Sequence, residues 1–374
     1  NTFKCGSMPI YKVINMKNAL IIFGGVSSEH DVSCVSATSV IRNIPKDKYN
    51  VIMMGISKQG EMFLYDGDFN NLPKDGWLED KAHLKKAVIS SDRADRGIIV
   101  FNENGYEKVK IDVCFPVMHG KNGEDGTMQG LLTIAGIPYV GCNTMASAVC
   151  MDKAMTNAIC DINGIAQAKW KYITKYDFER RGREFARECE EYLGLPVFIK
   201  PANAGSSVGV VKAKTLEEIQ RGLDYALRFD SRVVVEEAIV GAEVECAVMG
   251  NDEPFAGAVG EIEPSNEFYD FEAKYESDSG LHIPARIGED KIKEVQEKAI
   301  KAYKAWGCSG LARVDFFVRY SDGAVLLNEP NTLPGFTNIS MYPMLMDKAG
   351  ISYGDLIDKL CTFAMEKWEK EFAQ

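Results

Sequence analysis

The stretch Arg313-Val-Asp315-Phe-Phe-Val-Arg-Tyr320-Ser-Asp322-Gly323-Ala-Val-Leu-Leu-Asn-Glu329-Pro330-Asn331 reads as two strands joined by a tight turn. Ser321-Asp322-Gly323 between two apolar runs is a hairpin signal, with Gly323 at the left-handed position. Pairing centred on Asp322 sets Asp315 opposite Glu329 and Arg313 opposite Asn331. All four then project from one face, because side chains alternate along a strand. Two carboxylates directly opposed repel each other. A divalent cation relieves that repulsion. Asp, Glu and Asn oxygens are hard donors suited to Mg²⁺, with nucleotide phosphates completing the coordination. The alternative is that Arg313 simply neutralises the pair on a solvated face. Pro330 has no N–H to give, so its strand is expected at a sheet edge or end.

On either side, short apolar runs alternate with amphipathic helical stretches, the mark of an α/β chain. Ala19–Phe23, Val51–Ser57 and Asp112–Met118 read as strands of a parallel sheet, and Glu29 to about Ile44 as a helix capped by Ser27 or Ser28. The texture changes after Gly141. Trp170–Thr174, Val197–Lys200, Val208–Ala213 and Arg232–Glu237 are the next strands, with helices ending at Gly194 and spanning Leu216–Phe229. Further on come strands near Val244–Met249 and Ala256–Glu263, a polar loop from Pro264 to His282, and a helix from Glu289 to Trp306. That helix puts Ile292, Val295, Ala299, Tyr303 and Trp306 on one stripe. The division expected is a leader or appended remnant over 1–18, then blocks 19–141, 142–238 and 239–374, the last with α+β character.

Composition narrows the function. The chain has 374 residues, 46% of them hydrophobic, and a net charge of −11 from 43 basic and 54 acidic side chains. That charge disfavours nucleic acid and anionic membranes as partners. No apolar run is long enough for a transmembrane helix. Ten cysteines are scattered without a C-x-x-C pair, the pattern of buried thiols in a reduced, cytoplasmic protein.

Four other segments bear on chemistry. Lys200-Pro-Ala-Asn-Ala-Gly205-Ser206-Ser207-Val-Gly209 lies between two strands, where small residues let backbone N–H groups close on a phosphate. It lacks the Gly-Lys-Ser/Thr of a P-loop, and a flexible hairpin is the other reading. Lys200 ends an apolar strand, where an unpaired ammonium is costly. Gly24-Gly25-Val-Ser-Ser-Glu29-His-Asp31 and His119-Gly-Lys-Asn-Gly-Glu124-Asp125 both sit at strand ends, the place where parallel sheets bind ligands. Ordinary capping explains the first equally well. His119 reads on its own as structural, Met151-Asp152-Lys153 as a solvated pair on a helix, and Met341 as core. Finally, Phe268–Tyr275 interleaves aromatics with charges in a loop long enough to be a lid.

Taken together, these segments resemble the D-alanine–D-alanine ligase family of ATP-grasp enzymes. The similarity runs in family order through Gly24–Ser33, His119–Gly130, Met151–Lys153, Lys200–Gly209, Glu236–Glu243, Phe268–Tyr275, Arg313–Asp315 and Glu329–Pro343. It implies a three-domain fold with ATP between the last two. Lys153, Lys200 and Lys274 would contact ATP, with Ser206 and Ser207 in the loop over its phosphates. Glu236 and Glu243 would hold adenine and ribose. Asp315, Glu329 and Asn331 would bind two Mg²⁺ ions, with Mn²⁺ able to substitute. Glu29 would grip the ammonium of the first D-alanine, and Ser206 and Tyr275 would link to it. Arg313 and the Gly335 N–H would face the reacting carboxylate. His119, Ser340 and Met341 would lie by the amino acids. The resemblance also implies a homodimer through the first domain. Met118–Gly130 and Cys308–Asp315 are similar to D-alanine–D-serine ligases of the vancomycin-resistance type. An apolar Met341 offers nothing to a substrate hydroxyl, which favours D-alanine over D-serine as second substrate, though only weakly.

Overall fold

The computed structural model describes residues 16–263 and 280–372. Three sheets form among these residues.

The first is mixed rather than parallel. Strand β1 (Lys17–Gly24) pairs in parallel with β2 (Tyr49–Ile56) and β7 (Val113–Pro116). From β2 the sheet continues as an antiparallel meander through β3 (Met62–Tyr65), β4 (Leu84–Ile89), β5 (Gly97–Asn102) and β6 (Gly105–Lys110). These four strands escape the sequence reading because they are short, and β6 is exposed at nearly every position. A run without a buried face has no apolar alternation to find. Helix α1 (His30–Asn43) follows β1 and packs back on it. It begins at His30 with Glu29 as its cap residue, and neither Ser27 nor Ser28 caps it. The sequence reading also sets residues 17 and 18 outside the fold, but they belong to β1. Lys17 donates its N–H to the Lys48 carbonyl at 2.9 Å, and Asn18 its own to Asp112 at 2.8 Å, so both are strand residues.

After the short helix α2 (Gly76–Glu79) and α3 (Thr127–Ala135), the chain breaks where a single helix was read. α4 (Thr144–Met151) stops, Asp152 turns, and α5 (Lys153–Ile162) starts afresh. Asp152 is buried and caps α5 by accepting the N–H groups of Ala154 and Met155 at 3.0 and 3.1 Å. Its other oxygen pairs with Arg232, so Asp152 is a structural anchor instead of a solvated charge.

The second sheet is antiparallel, in the order β10-β9-β11-β8, where β8 is Trp170–Thr174, β9 Val197–Pro201, β10 Val211–Ala213 and β11 Arg232–Glu237. α6 (Lys175–Leu193) and α7 (Leu216–Ala226) cover it, and Ile173, Phe185, Ile199 and Leu223 fill a core of its own.

The third sheet runs β14-β13-β12-β15-β16. Its strands are β12 (Gly241–Gly250), β13 (Phe255–Glu263), β14 (Gly280–His282), β15 (Gly310–Arg319) and β16 (Val325–Asn331). Helix α8 (Glu289–Ala305) lays its stripe on it; Val295, Ala299, Tyr303 and Trp306 are all buried. Large side chains of this kind contribute about 1.5–3 kcal/mol each on full burial. β16 is the edge strand, as Pro330 requires.

The first and last parts of the chain share a core. Phe23, Ile41 and Phe115 pack with Tyr342 and Leu345 of α9 (Met341–Lys348) and Leu360 of α10 (Tyr353–Phe372). The sheet carrying the hairpin is thereby held against the first sheet, while the second stands on its own core.

Candidate active site

The hairpin pairs as read, by a different route. Asp315 lies opposite Glu329, and Arg313 opposite Asn331. Near the turn, however, Phe317 faces Leu326 and Val318 faces Val325, one residue out of that register. A bulge with Asn328 as the extra residue corrects the slip. Arg313 clasps Asp315 with Nε at 2.8 Å from Oδ1 and Nη2 at 2.7 Å from Oδ2. Asn331 Nδ2 donates to the same carboxylate at 2.9 Å. Arg313 Nε also lies 3.0 Å from Glu245, which sits opposite Asp315 on β12. Two carboxylates, Asp315 and Glu245, thus gather on one guanidinium. Asp315, Glu329 and Asn331 carry hard oxygen atoms of the kind Mg²⁺ takes, with both Asp315 oxygens held by Arg313 here.

The hairpin faces the second sheet across a cavity of about 350 Å³. Lys153, Lys200, Glu236 and Glu243 line it with Arg313, Glu329 and Asn331. Lys200 Nζ pairs with Glu236 at 2.7 Å, and Asn157 donates to the other Glu236 oxygen at 3.1 Å. Burial alone would push the Lys200 ammonium down, but Glu236, Glu329 and Glu243 outweigh it and hold it above its ordinary range. Lys153 Nζ bonds the Ala204 carbonyl at 2.9 Å and stands 3.7 Å from Glu329. Two cations and an acid-lined hairpin therefore share one space. That combination of charges suits a polyphosphate with a divalent cation.

The loop after Lys200 closes that space. Ser206 and Ser207 both take left-handed backbone, with φ of 51° and 57°. They are the central residues of a tight turn closed by the Val208 N–H on the Gly205 carbonyl at 3.1 Å. Ser206 makes no hydrogen bond to Glu29 among the described residues. Gly205 approaches that carboxylate instead, since a Cβ there would lie 3.3 Å from Glu29 Oε2.

The far end of the cavity is built by the first domain. Glu29, His119 and Glu124 line it, and Gly335 completes it. Gly120 must be glycine: φ is +68°, and a Cβ would sit 2.5 Å from Glu29 Oε2. His119 is buried and neutral. Its Nδ1–H donates to the Leu333 carbonyl at 2.9 Å, and its Nε2 accepts from Ser36 at 3.1 Å. Burial pushes its pKa down, against the pull of Glu29. Both ring nitrogens are occupied, so His119 ties the first domain to the loop bearing Gly335 while its ring lines the cavity. Glu124 completes that tie by accepting the Gly120 and Leu333 N–H groups at 2.8 and 3.1 Å. Burial and the Glu29 charge push its carboxyl up to about 8.

Three expected residues are off the cavity lining, the first being Asp315, which is buried and turned to Arg313 and Asn331. Ser340 and Met341 do not line the cavity. Met341 is 6% exposed and belongs to the shared core, with its sulfur against Gly260. Ser340 Oγ accepts the Thr337 N–H at 3.0 Å and supports the turn at Gly335. Met341 is therefore no guide to the second amino acid. Lys274 and Tyr275 lie outside the described residues. Sequence reasoning missed Glu124, Glu245 and Asn157. Glu124 sat inside a quoted loop, and Glu245 shares strand parity with Glu243; nothing in the sequence marked Asn157.

Two antiparallel sheets closing on a nucleotide-sized cleft, with a Gly/Ser loop on one and an acidic hairpin on the other, define an ATP-grasp protein. Models of the D-ala D-ala ligase N-terminus and C-terminus match residues 18–142 and 159–362. The chain belongs to the D-alanine–D-alanine ligase family. It is 50% identical over 364 residues to a D-alanine–D-alanine ligase of Acetivibrio thermocellus, covering 94% of this chain and 96% of that one. It is 46% identical to the corresponding ligase of Caldicellulosiruptor bescii, over 93% and 94% of the two chains. Among solved structures, VanG D-Ala:D-Ser ligase from Enterococcus faecalis superposes with a TM-score of 0.85 at 41% identity, covering 94% of this chain and all of that one. The D-alanine-D-alanine ligase from Coxiella burnetii gives 0.82 at 32% identity, covering 95% and 97%.

Proposed function

We propose that this chain joins two D-alanines into D-alanyl-D-alanine, a peptidoglycan precursor, converting ATP to ADP and phosphate. One observation carries the reading: the Glu29 carboxylate and the Lys200 and Arg313 cations line a single cavity. That layout suits a zwitterion whose ammonium rests on Glu29 and whose carboxylate points toward the transferring phosphoryl group. A carboxylate is a poor electrophile, so it first attacks the γ-phosphorus to give an acyl phosphate. Lys153 and Lys200 offset the charge spreading over that group. Asp315, Glu329 and Asn331 would hold Mg²⁺, which supplies charge neutralisation at the β- and γ-phosphates. Glu236 and Glu243 serve the adenosine end. The second amine then attacks the acyl carbon, with Arg313 and the Gly335 N–H stabilising the oxyanion. Phosphate leaves with the bridging oxygen. ATP as substrate puts this reaction in the cytoplasm, and the family points to a homodimer through the first domain.

A second reading has D-serine as the second amino acid. The likeness to VanG favours it. Product identification after incubation with ATP, Mg²⁺ and equal D-alanine and D-serine decides between them. D-Alanyl-D-alanine in excess supports the first reading, and D-alanyl-D-serine in excess the second.

A further inference from the structure

A buried charge cluster sits immediately behind Glu29. His30 is 1% exposed. Its Nδ1 lies 2.8 Å from the Gly25 carbonyl oxygen, and its Nε2 lies 2.7 Å from Asp75 Oδ1. A carbonyl oxygen can only accept. An ionised carboxylate can only accept as well. Burial pushes the Asp75 carboxyl up, but His30 and Lys58 outweigh it and hold it below its ordinary range. Both ring nitrogens therefore face acceptor oxygens. Lys58 stands 3.2 Å from the second Asp75 oxygen and 2.9 Å from Asp31, so positive and negative groups alternate around the site. Cys34 lies within 4.8 Å of the same ligand atoms, but burial pushes its thiol up to about 12 and it stays a neutral neighbour.

The surroundings are shaped to this ring. Lys74 and Asp75 both hold left-handed backbone, with φ of 57° and 58°, although neither is glycine. Such strain persists only where neighbouring structure enforces it. On the other side, a Cβ at Gly24 would lie 2.9 Å from His30 Cε1, so the Gly24-Gly25 turn rests directly on the ring. His30 thus bolts the turn preceding Glu29 to the loop that carries Asp75.

We propose that the His30 imidazolium, paired with Asp75, is the positioning device that sets the Glu29 carboxylate for the substrate ammonium. The proposal rests on the reading of Glu29 given above. The pair touches no substrate. It fixes the first turn of α1, so its loss weakens capture of the first D-alanine and leaves the chemistry after capture largely intact.

Two measurements on the full chain test this. In a ¹⁵N-labelled sample near neutral pH, one histidine ring carries protons on both nitrogens, and the signal is absent in His30→Gln. Asp75→Asn keeps a polar partner of the same size and converts that ring to the neutral form. In Asp75→Asn, affinity for D-alanine, measured calorimetrically with a non-hydrolysable ATP analogue, falls about tenfold, while kcat at saturating D-alanine stays within about twofold. A neutral His30 ring in the unmodified protein overturns the ion pair. Lost kcat with unchanged affinity in Asp75→Asn overturns the positioning role. Unchanged affinity in Glu29→Gln overturns the ammonium reading, and the positioning role with it, whereas the imidazolium signal survives.

Discussion

The two walls of the cleft are built on opposite principles. On the hairpin wall, Arg313, Asp315 and Asn331 hold one another through bonds of 2.7–2.9 Å on paired strands, and Asp315 is buried. On the loop wall, Ser206 and Ser207 stand in strained left-handed backbone. The first wall is preorganised before anything binds. The second is small, strained backbone that a phosphate can complete. Charge that must be placed to a fraction of an ångström is carried by a sheet, and groups that must close over a ligand are carried by a loop.

Breaking the preorganised wall carries the largest effect. Asp315→Asn removes a hard anionic donor and strips Arg313 of its closest partner. We expect kcat to fall about a thousandfold, with little recovery at high Mg²⁺. Steady-state kinetics over a Mg²⁺ series measures this; full rescue by Mg²⁺ would reduce Asp315 to an affinity role. On the other wall, Lys200→Ala deletes the cation at the base of the loop. A loss on the order of a hundredfold in kcat is expected, with cooperative unfolding retained. Normal turnover would remove Lys200 from phosphoryl transfer.

A third prediction sharpens the comparison through Glu124, which ties the first domain to the Gly335 loop. Its carboxyl titrates near 8 in the native state, well above the ordinary value of 4.5. The native state therefore keeps a proton that the unfolded chain sheds. That contribution to stability is complete below about 4.5 and is lost as pH climbs toward 8. Glu124→Gln is neutral throughout, so the melting temperature of the unmodified protein should fall relative to the variant across this range. Parallel pH dependences would contradict the raised value. The smallest effect is expected at Ser207→Gly. Relief of left-handed strain should add about 1 kcal/mol of stability, partly offset by the freedom glycine gains in the unfolded chain. Denaturant titration reads it.

How much of this was written in the sequence differs along the chain. The hairpin was readable because its turn residues, strand parity and Pro330 all act locally. Even so, its pairing partners emerge through a bulge at Asn328 that no local rule announces. The Lys200 loop was legible for the same reason: small residues between two apolar runs. The strands β3 to β6 were not, since runs this short leave little period to read even where Ala87, Ile89, Ile98 and Val100 are buried. The tie of His119, Ser36 and Glu124 to residues 333–336 joins segments some two to three hundred positions apart, and only tertiary packing creates it. Met341 misled because a residue's place in a motif does not say which way its side chain turns. Here the shared core claimed it.

The account depends on a carboxylate, and not water, attacking ATP in this cleft. D-Alanine labelled with oxygen-18 in its carboxylate tests that directly. Turnover with ATP and Mg²⁺ should release phosphate carrying one labelled oxygen per peptide bond formed. Phosphate free of the label, formed alongside peptide, would contradict an acyl phosphate and the site described for it.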